Sequence, residues 1–191
     1  MLRTGNKKDI MKHKYNDIPG WFSFQPIYED AIKNAKDGDV FVEVGAFLGK
    51  STHYMATEIV NSKKKVQFHV VDIWLIESEN QRRLAGNDSK SIFLENLKPF
   101  LKKRWFHVHD TPSVEASKMF EDESIDFVLI DADHSYQAVK EDLRAWVPKV
   151  KPGGVIAGDD YASPTHPGVR RAVDEYFPNV ERVGRNWRVQ L

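Results

Sequence analysis

Short apolar runs that stop abruptly on an acidic residue or a glycine recur along this chain, and they constrain its fold more than any other feature. They occupy residues 39–44 (DVFVEV) before Gly45, 66–71 (VQFHVV) before Asp72, 106–109 before Asp110, 125–130 (IDFVLI) before Asp131, and 155–157 before Gly158 and Asp159. Runs of this kind suit strands buried on both faces of a parallel sheet. Between them, residues 50–60, 89–101, 135–147 and 169–177 repeat apolar side chains at helical spacing, for example Ile92, Phe93, Leu97, Phe100 and Leu101 on one face of the second. Lys151-Pro-Gly-Gly154 is expected to close the third of these helices, because proline cannot continue it and glycine accepts the left-handed turn. The C-terminal stretch 180–191 reads as a hairpin with Gly184 and Asn186 in its turn. Five strand-helix units and a hairpin predict a mostly parallel sheet with helices on both faces, and ligands outside the carboxyl ends of the strands.

Composition narrows the chemistry. The 191 residues suffice for one domain with a real core and are too few for two ordinary ones. Lys plus Arg and Asp plus Glu both number 28, so no net field or basic block favours nucleic acid as a partner. Cysteine is absent, which excludes disulfides, thiolate metal sites and cysteine nucleophiles and leaves oxygen and imidazole as the strong ligands. The basic stretch 1–14 has no apolar centre, and no apolar run approaches the roughly 20 residues of a membrane span. A cytoplasmic protein acting on a small molecule is expected, with no membrane partner; a homo-oligomer is compatible with this composition.

The strand ends carry the candidate site. Gly45 and Gly49 bracket the turn from the first strand into a helix, where a tight backbone and an open helix N-terminus suit a nucleotide-like ligand. An ordinary β-α turn fits the same residues. A phosphate-binding loop is a rival, since Gly45-x-x-x-Gly49-Lys50-Ser51-Thr52 is one residue short of G-x-x-x-x-G-K-[ST]. Asp72 is placed to accept from two ribose hydroxyls, and Asp110 with Thr111 to flank an adenine. His107 and His109 share a strand face with no third ligand nearby in sequence and read as structural. Asp131, Asp133, Asp159 and Asp160 converge at two strand tips, where four carboxylates require a cation, pairing partners or protons. Oxygen ligands favour Mg²⁺, with Mn²⁺ or Ca²⁺ as substitutes. His134 fits a base, a metal ligand or a helix cap. Residues 75–88, with Gly86, form a candidate lid, and Trp21, Phe22 and Phe24 a candidate acceptor wall.

Taken in order, E-V-G-x-x-x-G-x-S (43–51), V-D-x-W (71–74) and K-P-G-G (151–154) resemble the class I S-adenosylmethionine (AdoMet) dependent methyltransferases. I-D-A-D-H-S-Y (130–136), G-D-D-Y (158–161) and P-x-V-R-R-A-V-D-E-Y-F (167–177) are similar to the metal-dependent O-methyltransferases that act on antibiotic sugars, of the macrocin and novobiocin type. The resemblance implies a Rossmann-like, mostly parallel seven-stranded sheet ending in an antiparallel hairpin, with residues 25–191 as the methyltransferase domain and 1–24 as an N-terminal extension. It implies AdoMet across Glu43, Gly45, Gly49 and Ser51, with the ribose on Asp72, Asp110 and Thr111 alongside, and Asp131 facing both cofactor and metal. Asp131, Asp159 and Asp160 would then hold Mg²⁺, with Asp133 as general base and His134 beside it, for O-methylation of a sugar or polyol hydroxyl. This chain is shorter at the N-terminus than those enzymes, which leaves the acceptor open. A nucleotide-binding protein using Lys50 and Asp131, a metal hydrolase using the same acids, and a noncatalytic AdoMet-binding protein remain as alternatives.

Overall fold

In the computed structural model, which describes residues 10–76 and 78–191, seven strands form a single sheet. They are β1 (Val40–Val44), β2 (Gln67–Asp72), β3 (Phe106–Asp110), β4 (Ile125–Ile130), β5 (Val150–Gly158), β6 (Glu181–Val183) and β7 (Asn186–Gln190), in the order β3-β2-β1-β4-β5-β7-β6. Strands β1 to β5 pair in parallel, and β7 runs antiparallel to both β5 and β6. The fold class read from the sequence is therefore the one observed. Residues 1–9 of the basic stretch and Glu77 of the expected lid lie outside the described residues.

Alternation within the strands sorts the core into two layers. Phe41, Phe127 and Leu129 face α1 (Gln25–Asn34), α2 (Lys50–Ser62) and α4 (Ser89–Asn96), meeting Ile27, Tyr28, Met55, Ile59 and Phe93. Val42, Val44, Val128 and Ile130 face α5 (Ser113–Ser117), α6 (Tyr136–Trp146) and α7 (Pro167–Tyr176), meeting Ala116, Val139, Leu143, Trp146 and Val173. Each such side chain taken wholly out of water contributes roughly 1.5–3 kcal/mol, so both faces of the sheet are committed to the core. Function is left to the strand ends.

Local chemistry sets the element boundaries. Ser135 caps α6 by accepting from the Ala138 amide, and Pro26 and Pro167 start α1 and α7 where a missing N–H costs nothing. The expectation for Lys151–Gly154 needs correcting: α6 ends at Trp146 and passes through a 3-10 turn, Val147–Lys149, before β5 begins. Lys151–Gly154 bulges within β5, because Ile125 pairs with Val150 and Phe127 with Val155. Gly153 takes φ 83°, and Lys151 reaches the Asp126 carboxylate at 2.8 Å. The hairpin turn is Gly184-Arg185, while Asn186 pairs with Val183 inside the ladder. Helix α4 stops at Asn96, short of the expected residue 101, and continues as turns that bury Leu97 and Phe100.

Candidate functional site

The carboxyl ends of β1, β2, β4 and β5 open into one cleft of about 1150 Å³. On its floor the chain leaves β1 at Gly45, φ 89°, where an added Cβ would overlap the carbonyl of Asp131 at the end of β4. Gly49, φ 85°, begins α2, and a Cβ there would run into Leu97 and Phe93. Both glycines are thus required by packing of protein on protein, and the close approach they permit is to β4 and α4. Asp72 organises the turn between them. Its Oδ2 accepts from the amides of Ala46 at 2.7 Å and Phe47 at 2.9 Å, and its Oδ1 accepts from Trp74 at 2.5 Å. Lys50 Nζ donates to the Gly20 carbonyl at 3.1 Å, so the lysine of the near-match to a phosphate-binding loop is engaged by the N-terminal segment and is not aimed at a phosphate.

Glu43 lies beneath this turn and does not line the cleft. It is wholly buried and accepts from Tyr28 at 2.9 Å and from Ser51 and Thr52 at 2.5 Å each. Burial raises its pKa to about 7 against the pull of those three donors. It fixes the first turn of α2, with Ser51 itself in the cleft wall. Thr111 also lines the cleft, whereas Asp110 is drawn outward to Lys90 at 2.5 Å and does not. Deeper on that side sit Ser113 and Asp142, which sequence reasoning missed. Asp142 accepts from the Ser113 hydroxyl, which in turn accepts from Trp146 Nε1, and burial pushes its carboxyl up to about 6. The helical period hid Asp142, because it reads there as one more polar residue.

Opposite the turn, the acidic strand tips meet two imidazoles. His134 Nε2 is 3.2 Å from Asp131 Oδ1 and 3.7 Å from Asp160 Oδ2, while His166 Nδ1 is 2.8 Å from the same Asp160 oxygen. Arg185 Nη2 reaches Asp160 Oδ1 at 3.1 Å, and Asp159 accepts from the Ser23 hydroxyl at 2.8 Å and from the Asp160 amide. Burial raises the Asp131 carboxyl to about 7, partly offset by His134 and reinforced by Asp159 and Asp160. Burial alone would lower His134, but the carboxylates of Asp131, Asp160 and Asp159 outweigh it and lift the imidazole to about 9. Asp133 points elsewhere, its Oδ1 accepting from the Ser135 amide at 2.8 Å, although it too lines the cleft. His166 and Ser23 were not anticipated, since the loops after β5 and before α1 carry no periodic signal, and Arg185 lies in the hairpin turn, where spacing marks a turn but not that its side chain reaches Asp160.

The expected surroundings are partly rearranged. Trp21 is exposed at the rim and stacked on Phe47, 6.0 Å between centroids, but Phe24 is wholly buried and Phe22 packs against the core. Within the candidate lid, Glu79–Ala85 (α3) is helical, and Ser78, Asn80 and Gln81 line the cleft. His107 and His109 do have a neighbouring histidine, His69 on β2, whose Nδ1 is 2.9 Å from His109 Nε2. Among the described residues, no helix is long and apolar enough to cross a membrane.

A family profile described as a methyltransferase domain matches residues 42–161. No curated protein matches the chain significantly. Solved structures with a similar fold include the O-methyltransferase NovP, 20% identical over 85% of this chain and 75% of that one, TM-score 0.59. CalS11, a TDP-rhamnose 3'-O-methyltransferase of calicheamicin biosynthesis, is 16% identical over 95% of this chain and 81% of that one, TM-score 0.60. MycE, a methyltransferase of the mycinamycin pathway in complex with Mg and SAH, is 13% identical, TM-score 0.58; 90% of this chain is covered and 50% of that one. At these identities the likeness shows the fold.

Proposed function

This chain belongs to the methyltransferase domain family and is an AdoMet-dependent methyltransferase, and from that premise we propose that it methylates a hydroxyl oxygen of a small polyhydroxylated molecule with the help of a divalent cation. The observation that carries the reading is the layout of the cleft, a braced β1-α2 turn on one side and a cluster of carboxylates and imidazoles on the other. AdoMet is assigned to the first side, across Gly45, Gly49 and Ser51, with Thr111 and Asp142 toward the adenine. Because Asp72 spends three acceptor positions on backbone amides, its fourth is what remains for a ribose hydroxyl.

The cluster fits a cation. His134 Nε2 is buried without a hydrogen-bond partner in acceptable geometry, yet faces two carboxylates, and an orphaned donor atom of that kind calls for an explanation. Asp131, Asp159, Asp160 and His134 line the place where the ion would be held, with Asp160 and His134 among its ligands. When bound, the ion lowers the pKa of an acceptor hydroxyl and orients its oxygen. The residues do the remaining work. Asp133, held at the cleft edge by the Ser135 amide, takes the hydroxyl proton, and the walls align the oxygen with the methyl carbon, an orientation effect worth up to roughly 7–11 kcal/mol. The sugar-like acceptor is supported by the polar cluster and by the likeness to CalS11, a TDP-rhamnose 3'-O-methyltransferase.

Calorimetry with S-adenosylhomocysteine and ATP, followed by methyl-transfer assays on a panel of sugars and polyols, tests this. S-adenosylhomocysteine should bind in preference to ATP, and Asp133→Asn should retain that affinity while losing about 10²–10⁴-fold in turnover. Preferential ATP binding would overturn the assignment, and an undiminished Asp133→Asn turnover would rule out Asp133 as the base.

A further inference from the structure

The donors that converge most closely in the cleft are not the three aspartates that the sequence motifs single out. Among the described residues, the group able to share one ion is His134, Asp160 and His166, each offering one ligand atom and all three atoms within 4.8 Å of one another. Donors bound to one ion at about 2.0–2.2 Å lie roughly 3–4 Å apart. The 3.7 Å from His134 Nε2 to Asp160 Oδ2 falls in that range, and the 2.8 Å from His166 Nδ1 to the same oxygen is a hydrogen-bond distance that a shared ion would widen slightly.

Three features of the fold build this arrangement. Gly168 in the first turn of α7 has no Cβ, and one placed there would overlap the backbone of Tyr136; the start of α7 therefore seats against the start of α6. That contact carries His166, the residue before α7, over His134, the residue two before α6, with rings 4.7 Å apart. Asp160 adopts φ 55°, a left-handed conformation uncommon outside glycine and frequent at functional sites. Arg185 holds Oδ1 of its carboxylate, so an ion on Oδ2, replacing the direct contact of that oxygen with His166 Nδ1, would find Asp160 already oriented from outside its shell. Asp131 Oδ1, 3.2 Å from His134 Nε2, stands ready as a fourth donor.

We propose that His134, Asp160 and His166 are the inner ligands of the cation, and that the site therefore selects a first-row transition ion such as Mn²⁺, Fe²⁺ or Zn²⁺ over Mg²⁺. Two imidazoles and a carboxylate suit Fe²⁺ and Zn²⁺ best, and still hold Mn²⁺, which takes oxygen ligands as well, more tightly than Mg²⁺, which prefers oxygen throughout. The inference takes the location of the ion from the methyltransferase reading but makes its own statement about ligand chemistry.

Chelator-stripped protein titrated with Mn²⁺ and followed by pulsed electron paramagnetic resonance tests it. The bound Mn²⁺ should show nitrogen modulation from directly coordinated imidazole, and a hundredfold excess of Mg²⁺ should not displace it. His166→Ala and the more polar His166→Asn should weaken Mn²⁺ at least tenfold and reduce the modulation. Because the His166 side chain is 42% exposed and makes no cap hydrogen bond to α7, both variants should melt near the parent temperature. Absence of Mn²⁺ binding, absence of nitrogen modulation, displacement by Mg²⁺, or unchanged Mn²⁺ affinity in both variants would overturn the proposal. S-adenosylhomocysteine affinity is measured in parallel; its absence would refute the methyltransferase reading while leaving the nitrogen signal standing, so the two failures are distinguishable.

Discussion

Glu43 shows how a single side chain links the sheet to the site. A carboxyl held at a pKa of about 7 in the native state and near 4.5 when unfolded binds more protons folded than unfolded between those values. Stability from this group is then greatest below pH 4.5, declines as pH rises toward 7 and is level above that, a total of roughly 3 kcal/mol. Glu43→Gln keeps the acceptor for Tyr28 and Ser51, and the Thr52 hydroxyl can rotate to accept from the new amide. Urea unfolding at pH 5 and pH 7.5 with chelator present should show the variant losing less stability over that interval, by roughly 2 kcal/mol, the part of the total that falls between those pH values. Asp131 and Asp142, also raised, keep part of the slope in both proteins. Equal slopes would mean that Glu43 is ionised in the fold at both values. The sequence placed Glu43 beside the cofactor on motif alone; that it lies one layer below could not be read there, because a strand's alternation tells which residues share a face and not how deep that face lies.

At the level of elements, the legible parts were those with a period. Strands β1, β2, β3 and β4 and helices α2, α6 and α7 follow from apolar spacing and sharp ends, and the acidic tips followed with them. Short elements escaped. Helix α5 is five residues, too few for a repeat, and α1 announces itself only through Pro26 and the spacing of Ile27, Tyr28 and Ile32. Helix α3 was read as polar lid, yet its N-terminus is a capping box: Ser78 accepts from the Gln81 amide and Gln81 returns a bond to the Ser78 amide. In a seven-residue helix such a cap decides whether the segment is helical at all. Ser78→Ala should cost about 1 kcal/mol locally, seen as roughly fivefold faster amide exchange across Glu79–Ala85 with the global melting temperature nearly unchanged. Unchanged exchange would show that α3 is held by its packing rather than by its cap.

For the molecule as a whole, the N-terminal residues close what the sheet leaves open. Ile18 is buried against Leu48 of the β1-α2 turn and Ala85 of α3, with Phe47, Ile76 and Ile92 around them. The Gly20 carbonyl accepts from Lys50, and Met11 exchanges two hydrogen bonds with Asn61 on α2. The family resemblance sets residues 1–24 apart as an extension, and among the described residues of that stretch Met11, Ile18 and Gly20 contact α2, the β1-α2 turn and α3. A chain beginning at Trp21 loses the Ile18 cluster, whose removal from a packed site is worth about 2–5 kcal/mol, and that cost falls on the turn and α3 rather than on the paired strands. Since 1.4 kcal/mol is tenfold in affinity, S-adenosylhomocysteine should bind the shortened chain at least tenfold more weakly while its urea unfolding stays a single cooperative transition. Full affinity in the shortened chain would make residues 1–20 dispensable to the site, and loss of the cooperative transition would place them in the core of the fold instead of at its mouth.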